Sequence, residues 1–157
     1  MTVRRSALPP FQTLIDSYKD DVYRFVTGLL GPAEADDCFQ ETFLAALRAY
    51  PSLRDGRNLK SWLLTIAHNK AVDRVRSTKP SAPLADAPDM AHVPAEPDPA
   101  LWAEVAALPG KQRAAVVLRF VNDMAYRNIG AVLDCSEEAA RRSTHEGVKR
   151  LREVIER

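Results

Sequence analysis

The sequence lacks long apolar runs and holds few aromatic residues, which make up 7% of its 157 residues. A helix that crosses a bilayer needs about 20 consecutive apolar residues, so the sequence predicts no membrane insertion. The first ten residues, MTVRRSALPP, contain two arginines but no apolar core, which does not fit a secretory signal. Together these absences predict a cytoplasmic protein.

Cysteine and histidine are also scarce. The two cysteines, Cys38 and Cys135, belong to no CxxC motif, and the three histidines, His68, His92 and His145, are scattered. Because metal sites place such residues at short, regular spacings, we expect no metal and no other cofactor. Each cysteine is interpreted as a small buried apolar residue, with a disulfide or redox switch as the alternative.

The motifs of common enzymes are missing as well. The sequence has no glycine-rich phosphate loop and no nucleophile-elbow pattern. Four nearby carboxylates would suit a cation: Glu34, Asp36, Asp37 and Glu41. However, no Glu-x-x-His motif accompanies them on another predicted helix, which argues against a carboxylate metal site. The sequence therefore predicts a protein that is not an enzyme.

One segment differs from the rest in composition. Six of the eleven prolines lie between Pro80 and Pro99, among four acidic residues and no basic one, whereas both flanking blocks are mildly basic. Proline removes a hydrogen-bond donor and disfavours helix in the residue before it, so this segment is predicted to be an extended linker. We therefore expect a domain at 8–79, a flexible acidic linker at 80–98 and a second domain at 99–157.

Both predicted domains are helical, so the expected fold class is all-α. Apolar residues at spacings of three and four predict three helices in the first domain, over about 11–30, 33–50 and 59–76. They are separated by Gly31-Pro32 and by a polar turn after Pro51.

The second domain is predicted to contain a helix-turn-helix. Helices are expected over about 99–108, 110–121 and 125–133, followed by a long helix from Glu137. Ser136 is suited to cap that last helix, since its side chain accepts from a free N–H group. Two helices joined by about three residues, the second rich in arginine, are typical of a DNA-binding module.

Basic residues cluster on the last helix and in the first domain, and each cluster fits either nucleic-acid binding or an ordinary structural role. On the last helix, Arg141, Arg142, His145 and Lys149 are suited to bases and phosphates, but interleaved glutamates also fit a solvated helix surface. In the first domain, a polar turn and the third helix carry basic side chains around Trp62: Arg54, Arg57, Lys60, Lys70, Arg74, Arg76 and Lys79. This pattern indicates capture of single-stranded nucleic acid, although the spacing of Trp62 favours core packing.

Two strings of the first domain resemble a known family. DDCFQETFLAALRAY and LKSWLLTIAHNKAVDRVRS are similar to region 2 of bacterial extracytoplasmic-function (ECF) sigma factors of the sigma-70 family. The family patterns are D-x-x-Q-E-[TV]-F-L and W-L-x-x-I-A-x-N-x-x-x-D-x-x-R. The closing block, from Leu108 to Arg152, resembles region 4 with its helix-turn-helix. The resemblance covers nearly the whole chain after the first ten residues.

The resemblance implies a specificity subunit that binds core RNA polymerase and directs it to promoters. It implies polymerase contacts by Asp37, Gln40, Glu41 and Leu44, with Phe39 and Phe43 packed inward. For the melted −10 element it implies contacts by Arg54, Arg57, Asn58, Lys60, Trp62, Asn69, Lys70, Asp73, Arg74 and Arg76. For the duplex −35 element it implies Ser136, Arg141, Arg142, His145 and Lys149. An anti-sigma protein is a further partner common in the family.

The predicted recognition helix departs from the family pattern T-V-[KR]-S-R-x-x-R-A. Ser143 and Arg142 are exchanged in order, and Glu146 replaces a commonly basic residue. Gly130 and Gly147 are expected to weaken their helices, since glycine costs up to about 1 kcal/mol against alanine. The alternative function is a stand-alone helix-turn-helix regulator, which would have no need of the motif residues at 37–44 and 57–76.

Overall fold

The computed structural model describes residues 8–54, 56–78 and 99–156. They form seven α-helices, with a short 3₁₀ turn at Tyr50–Ser52 and a π-helical segment at Val117–Val121. The helices are α1 (Phe11–Leu30), α2 (Pro32–Ala49), α3 (Leu59–Thr78), α4 (Pro99–Ala106), α5 (Gly110–Val116), α6 (Tyr126–Leu133) and α7 (Glu137–Ile155). No helix of this described part is both long and apolar enough to cross a membrane.

The first three helices pack into a bundle, as the periodicity predicts. Leu14, Val22 and Phe25 of α1 are buried against Leu63 and other residues of α3. The turn between α1 and α2 is set by Gly31, whose φ of 85° is unfavourable for residues with a side chain, and by Pro32 at the start of α2. The predicted boundaries of these helices agree with the structure to within two residues.

The remaining four helices form the second bundle. α6 and α7 are joined by a tight turn in which Asp134 adopts a left-handed conformation with φ 61°. Ser136 caps α7, its Oγ accepting from the Ala139 N–H at 3.0 Å. Two predicted helices are shorter than expected: α4 ends at Ala106, ahead of Pro109, and α5 passes into the π-helical segment after Val116. The π-helical turn lets the Asn122 N–H reach the Val117 carbonyl at 3.1 Å.

Two glycines lie where helices approach closely. A Cβ on Gly130 would lie 2.6 Å from the Cys135 carbonyl oxygen, and one on Gly147 would lie 2.7 Å from Val116 Cγ2. Both distances are shorter than van der Waals contact. Besides the expected weakening of the two helices, a larger residue at either position would force a neighbouring atom to shift: the turn beside α6 at Gly130, and Val116 of α5 at Gly147.

The two bundles share one apolar core. Val117 packs on Gly28 of α1, where a Cβ would lie 3.1 Å from both valine methyl groups. Arg113 Nη1 of α5 donates to the Leu29 carbonyl at 2.8 Å, and α6 packs along α3. The sequence predicted each bundle but not this contact. The predicted linker at 80–98 lies outside the described residues.

A cavity of about 540 Å³ lies between the bundles. Its lining combines apolar side chains of α1, α3 and α5 with His68, Arg76, Lys111 and Arg113. Burial is the larger cause, and the positive charge of Lys111 the smaller, of a pKa for His68 below its ordinary value of 6.5. The packing around His68 therefore disfavours its protonated form.

Candidate protein and nucleic-acid interfaces

α2 has one buried and one exposed face. Cys38, Thr42 and Ala46 are buried at spacings of four, and the Thr42 hydroxyl donates to the Cys38 carbonyl at 2.8 Å. Asp37, Gln40, Glu41 and Leu44 are exposed. The structure therefore brings the four residues predicted to contact polymerase together on the solvent side of one helix.

An apolar groove runs beside this face. It has a volume of about 370 Å³ and is lined by Phe11, Ile15, Phe39, Gln40, Phe43, Leu44 and Leu47. Leu44 and Leu47 are 53% and 51% exposed, large values for leucine side chains. Exposed apolar surface with a polar border is typical of a protein interface. The combination on α2 thus suits a protein partner.

Phe39 and Phe43 form the floor of this groove. Their ring centroids lie 5.0 Å apart, and Phe39 also contacts Tyr23 of α1 at 5.8 Å. Both are partly buried against the core. The expectation that they pack inward agrees with this arrangement, which fixes the exposed residues of α2 relative to α1.

Arg74 links the acidic side of α2 to α3. Its Nη2 lies 2.8 Å from Glu34 Oε1 and its Nη1 3.0 Å from Glu41 Oε2, while Asp37 Oδ2 is 3.7 Å away. The hydrogen bond to Glu34 is the main cause that raises the pKa of the Arg74 guanidinium. Three of the four carboxylates considered for a metal thus contact an arginine. In addition, a residue predicted for DNA contacts residues predicted for polymerase.

The other residues predicted for the −10 element lie on α3 and in the loop before it. Trp62, Asn69, Asp73 and Arg76 follow each other along one side of α3, and all but Trp62 are exposed. Trp62 is half-buried, with its ring centroid 6.0 Å from that of Tyr50. Arg54, Arg57 and Asn58 are exposed in the preceding loop, and Lys70 is half-buried on α3.

Lys60 points away from that side of α3. Its Nζ donates to the Asn122 carbonyl at 2.7 Å and lies 3.7 Å from Asp21 Oδ1. Lys60 and Arg74 are therefore both engaged with other helices of the chain, whereas the Trp62 side of α3 faces outward.

α7 presents the residues predicted for the −35 element. Ala140, Thr144 and Gly147 face the core. A shallow surface depression is lined by Glu138, Arg141, Arg142, His145, Glu146 and Lys149. Four of the five predicted −35 residues thus lie together, and the fifth, Ser136, caps the helix.

Comparisons with known proteins match both halves of the chain. The family model for sigma-70 region 2 matches residues 14–80, and that for sigma-70 region 4 matches residues 99–151. The RNA polymerase sigma factor CarQ of Myxococcus xanthus is 31% identical, covering 97% of this chain and 92% of its own. The ECF RNA polymerase sigma factor SigW of Bacillus subtilis is 28% identical, covering 98% of this chain and 92% of its own. The chain is an ECF sigma factor of the sigma-70 family.

A solved structure shows the same fold. RpoE of Bartonella quintana, in complex with the anti-sigma factor NepR, superposes with a TM-score of 0.78 at 21% identity, covering 93% of this chain and 96% of that one. Region 2 of this sigma factor contains α1–α3 and region 4 contains α4–α7. A stand-alone helix-turn-helix regulator is not favoured, since region 2 is present.

Sequence reasoning missed one group in region 4. Tyr126, the first residue of α6, has the guanidinium carbons of Arg119 and Arg141 over its ring, at 4.2 and 4.9 Å from the centroid. The three residues come from three different elements, so their contact cannot be predicted from the spacing of residues along the sequence. Only the folded arrangement of region 4 reveals it.

Proposed function

We propose that this sigma factor binds core RNA polymerase through the exposed face of α2, with Asp37, Gln40, Glu41 and Leu44 in contact. The observation that carries the proposal is the acidic, amide and apolar surface that these side chains share, beside the groove of Phe39 and Phe43. Apolar side chains provide binding energy when buried, and charges orient the partner.

For the −10 element, the proposed surface is the outward side of α3 and the loop before it. Asn58, Asn69 and Asp73 offer hydrogen-bonding groups to unstacked bases, and Trp62 with Tyr50 offers aromatic surface nearby. Four cations of the proposed set lie around them: Arg54, Arg57, Lys70 and Arg76. The other two, Lys60 and Arg74, are engaged with other helices. Lys60 and Arg74 reach phosphate only if their present partners release them.

For the −35 element, the proposed reader is α7. Arg141, Arg142, His145 and Lys149 lie on its solvent face, and guanidinium groups suit guanine edges and phosphates. Ser136 contributes through the cap, which orients the first turn toward the duplex. Glu138 and Glu146 on the same face disfavour phosphate and accept from a cytosine amine.

The proposal extends to the organisation and partners of the chain. Residues 8–79 and 99–157 act as the two promoter-binding domains and 80–98 as the linker, without enzymatic activity, in the cytoplasm where the polymerase transcribes. The likeness to a sigma factor in complex with an anti-sigma factor supports a protein inhibitor of this kind as a regulatory partner.

The test uses run-off transcription and co-elution with core polymerase. Leu44→Asn should bind polymerase at least tenfold more weakly, since about 2 kcal/mol of apolar burial is lost at the contact. Ile155→Asn is the matched control, because Ile155 is 60% exposed at the far end of α7. Equal binding by both variants would contradict the assignment of α2.

A further inference from the structure

Two side chains of region 4 converge on the ring of Tyr126. The guanidinium carbon of Arg119, from the π-helical segment, lies 4.2 Å from the ring centroid, and that of Arg141, from α7, lies 4.9 Å away. His145, one turn after Arg141, meets the same ring edge-on at 6.3 Å. Tyr126 therefore contacts two residues of the proposed −35 surface.

The Arg119 side of this arrangement is fixed by the backbone. Arg119 Nη1 donates to the Met124 carbonyl at 3.0 Å, and the Met124 N–H donates to the Leu118 carbonyl at 3.1 Å. Asp123, between them, has a φ of 56°, a left-handed conformation that reverses the chain. The turn thus places Arg119 over the ring from one direction and limits the movement of Tyr126.

Arg141 is held more loosely, by two contacts of different kinds. Its Nη2 lies 3.3 Å from Glu137 Oε2, one helical turn earlier, and both side chains are about half exposed. The Glu137 carboxylate occupies an N–H group of Arg141 that a nucleobase or phosphate would need. This ion pair must therefore break when DNA binds. The ring of Tyr126 contacts the face of the guanidinium and leaves the N–H groups at its edge available.

We propose that Tyr126 is a positioning residue that orients the Arg141 guanidinium for reading the −35 element. The inference rests on the proposed role of α7. A free arginine side chain samples many rotamers, and a ring beneath it restricts the plane of the guanidinium before DNA arrives. Arg119 steadies the ring, and Glu137 occupies the edge of Arg141 until a nucleic-acid acceptor replaces it.

The experiment measures base selectivity with the full chain bound to core polymerase. Promoter fragments carrying each single base change in the −35 element are competed against the parent fragment, for wild type, Tyr126→Leu, Tyr126→Phe and Arg141→Ala. Tyr126→Leu should lose about two- to fivefold in discrimination, the range expected for an exposed cation–π contact. The loss should fall at the same base pair as the loss in Arg141→Ala.

Two comparisons separate positioning from a structural or direct role. Tyr126→Phe keeps the ring and should keep the wild-type preference, and adding Tyr126→Leu to Arg141→Ala should cause no further loss at that base pair. An equal loss of affinity at all sequences in Tyr126→Leu, or a changed preference in Tyr126→Phe, overturns the proposal. A different result would show that α7 does not read the −35 element: the wild type itself would then show no preference among −35 sequences. In that case both the role of Tyr126 and the role of α7 would be wrong.

Discussion

The Lys60 ammonium of α3 donates a hydrogen bond of 2.7 Å to the main-chain carbonyl of Asn122, 62 residues further along the chain. The Asn122 side chain is itself only 1% exposed, and its Nδ2 donates to the Asp21 carbonyl at 2.9 Å. This one residue of region 4 is therefore tied to both α1 and α3 of region 2. The contact joins the two regions by directional bonds in addition to apolar packing.

Asn122→Asp should destabilise the chain by about 3 kcal/mol, because a carboxylate cannot donate to the Asp21 carbonyl and its charge is buried. Urea unfolding at neutral pH measures the change. The matched control is Asn69→Asp, the same replacement at an exposed position of α3, which should change stability by less than about 0.5 kcal/mol. A loss below about 1 kcal/mol at Asn122 would mean that the bond to Asp21 matters little.

Gly130→Ala should also destabilise, although alanine is the better helix former by about 1 kcal/mol. The new Cβ would lie 2.6 Å from the Cys135 carbonyl, so the turn before α7 must shift, at a cost of about 1 to 3 kcal/mol. Thermal unfolding compares it with Gly110→Ala, where no atom lies within 4 Å of the added Cβ. Stabilisation by Gly130→Ala would show that this turn adapts freely.

Acid should weaken the packing of the two regions through His68. Because burial keeps its pKa below 6.5, the unfolded chain takes up this proton more readily than the folded chain. Stability is therefore lost as pH falls from about 6.5 through the lowered pKa. His68→Gln should lose less unfolding free energy between about pH 7 and pH 5 than wild type. Identical slopes for wild type and His68→Gln would contradict this.

The two cysteines should differ sharply in reactivity. Burial is the main cause that raises the pKa of the Cys38 thiol to about 11, so only about one thiol in a thousand is ionised at pH 8. Cys135 is half-buried. A thiol-reactive disulfide reagent at pH 8 should modify Cys135 first and Cys38 only after unfolding. The Cys38→Ser and Cys135→Ser variants assign the two phases, and fast native modification of Cys135→Ser would contradict the prediction.

The helices were predictable because each has its own sequence signal. The stripe of α1, the Gly31-Pro32 turn and the Ser136 cap are all local, and the structure agrees with each of them. The passage from α5 to a π-helical segment was not predictable. The segment ends at Asn122, whose side chain donates to Asp21 of another helix, a contact that no periodicity encodes.

The candidate sites were predictable only as sets of residues. Sequence patterns indicated α2 and α7 as carriers of exposed groups, and all of these side chains but Arg141 are exposed, since helical spacing determines which residues share a face. The partners of Lys60 and Arg74 were not foreseen, because Asn122 and Glu34 are each at least 40 residues away from them. Tyr126 was missed because Arg119 and Arg141 reach its ring from two other elements of region 4.

The packing of Val117 on Gly28 limits how far this protein can extend. A compact body of about 130 residues, the part of the chain that the structure describes, has a radius of gyration of about 14 Å, and so a width of about 36 Å. The −35 and −10 elements are centred roughly 25 base pairs apart, or about 85 Å of duplex at about 3.4 Å per pair. With its halves closed on each other, the molecule spans less than half of that length. If region 2 contacts the −10 element while region 4 contacts the −35 element, as proposed, the packing of Val117 on Gly28 must open.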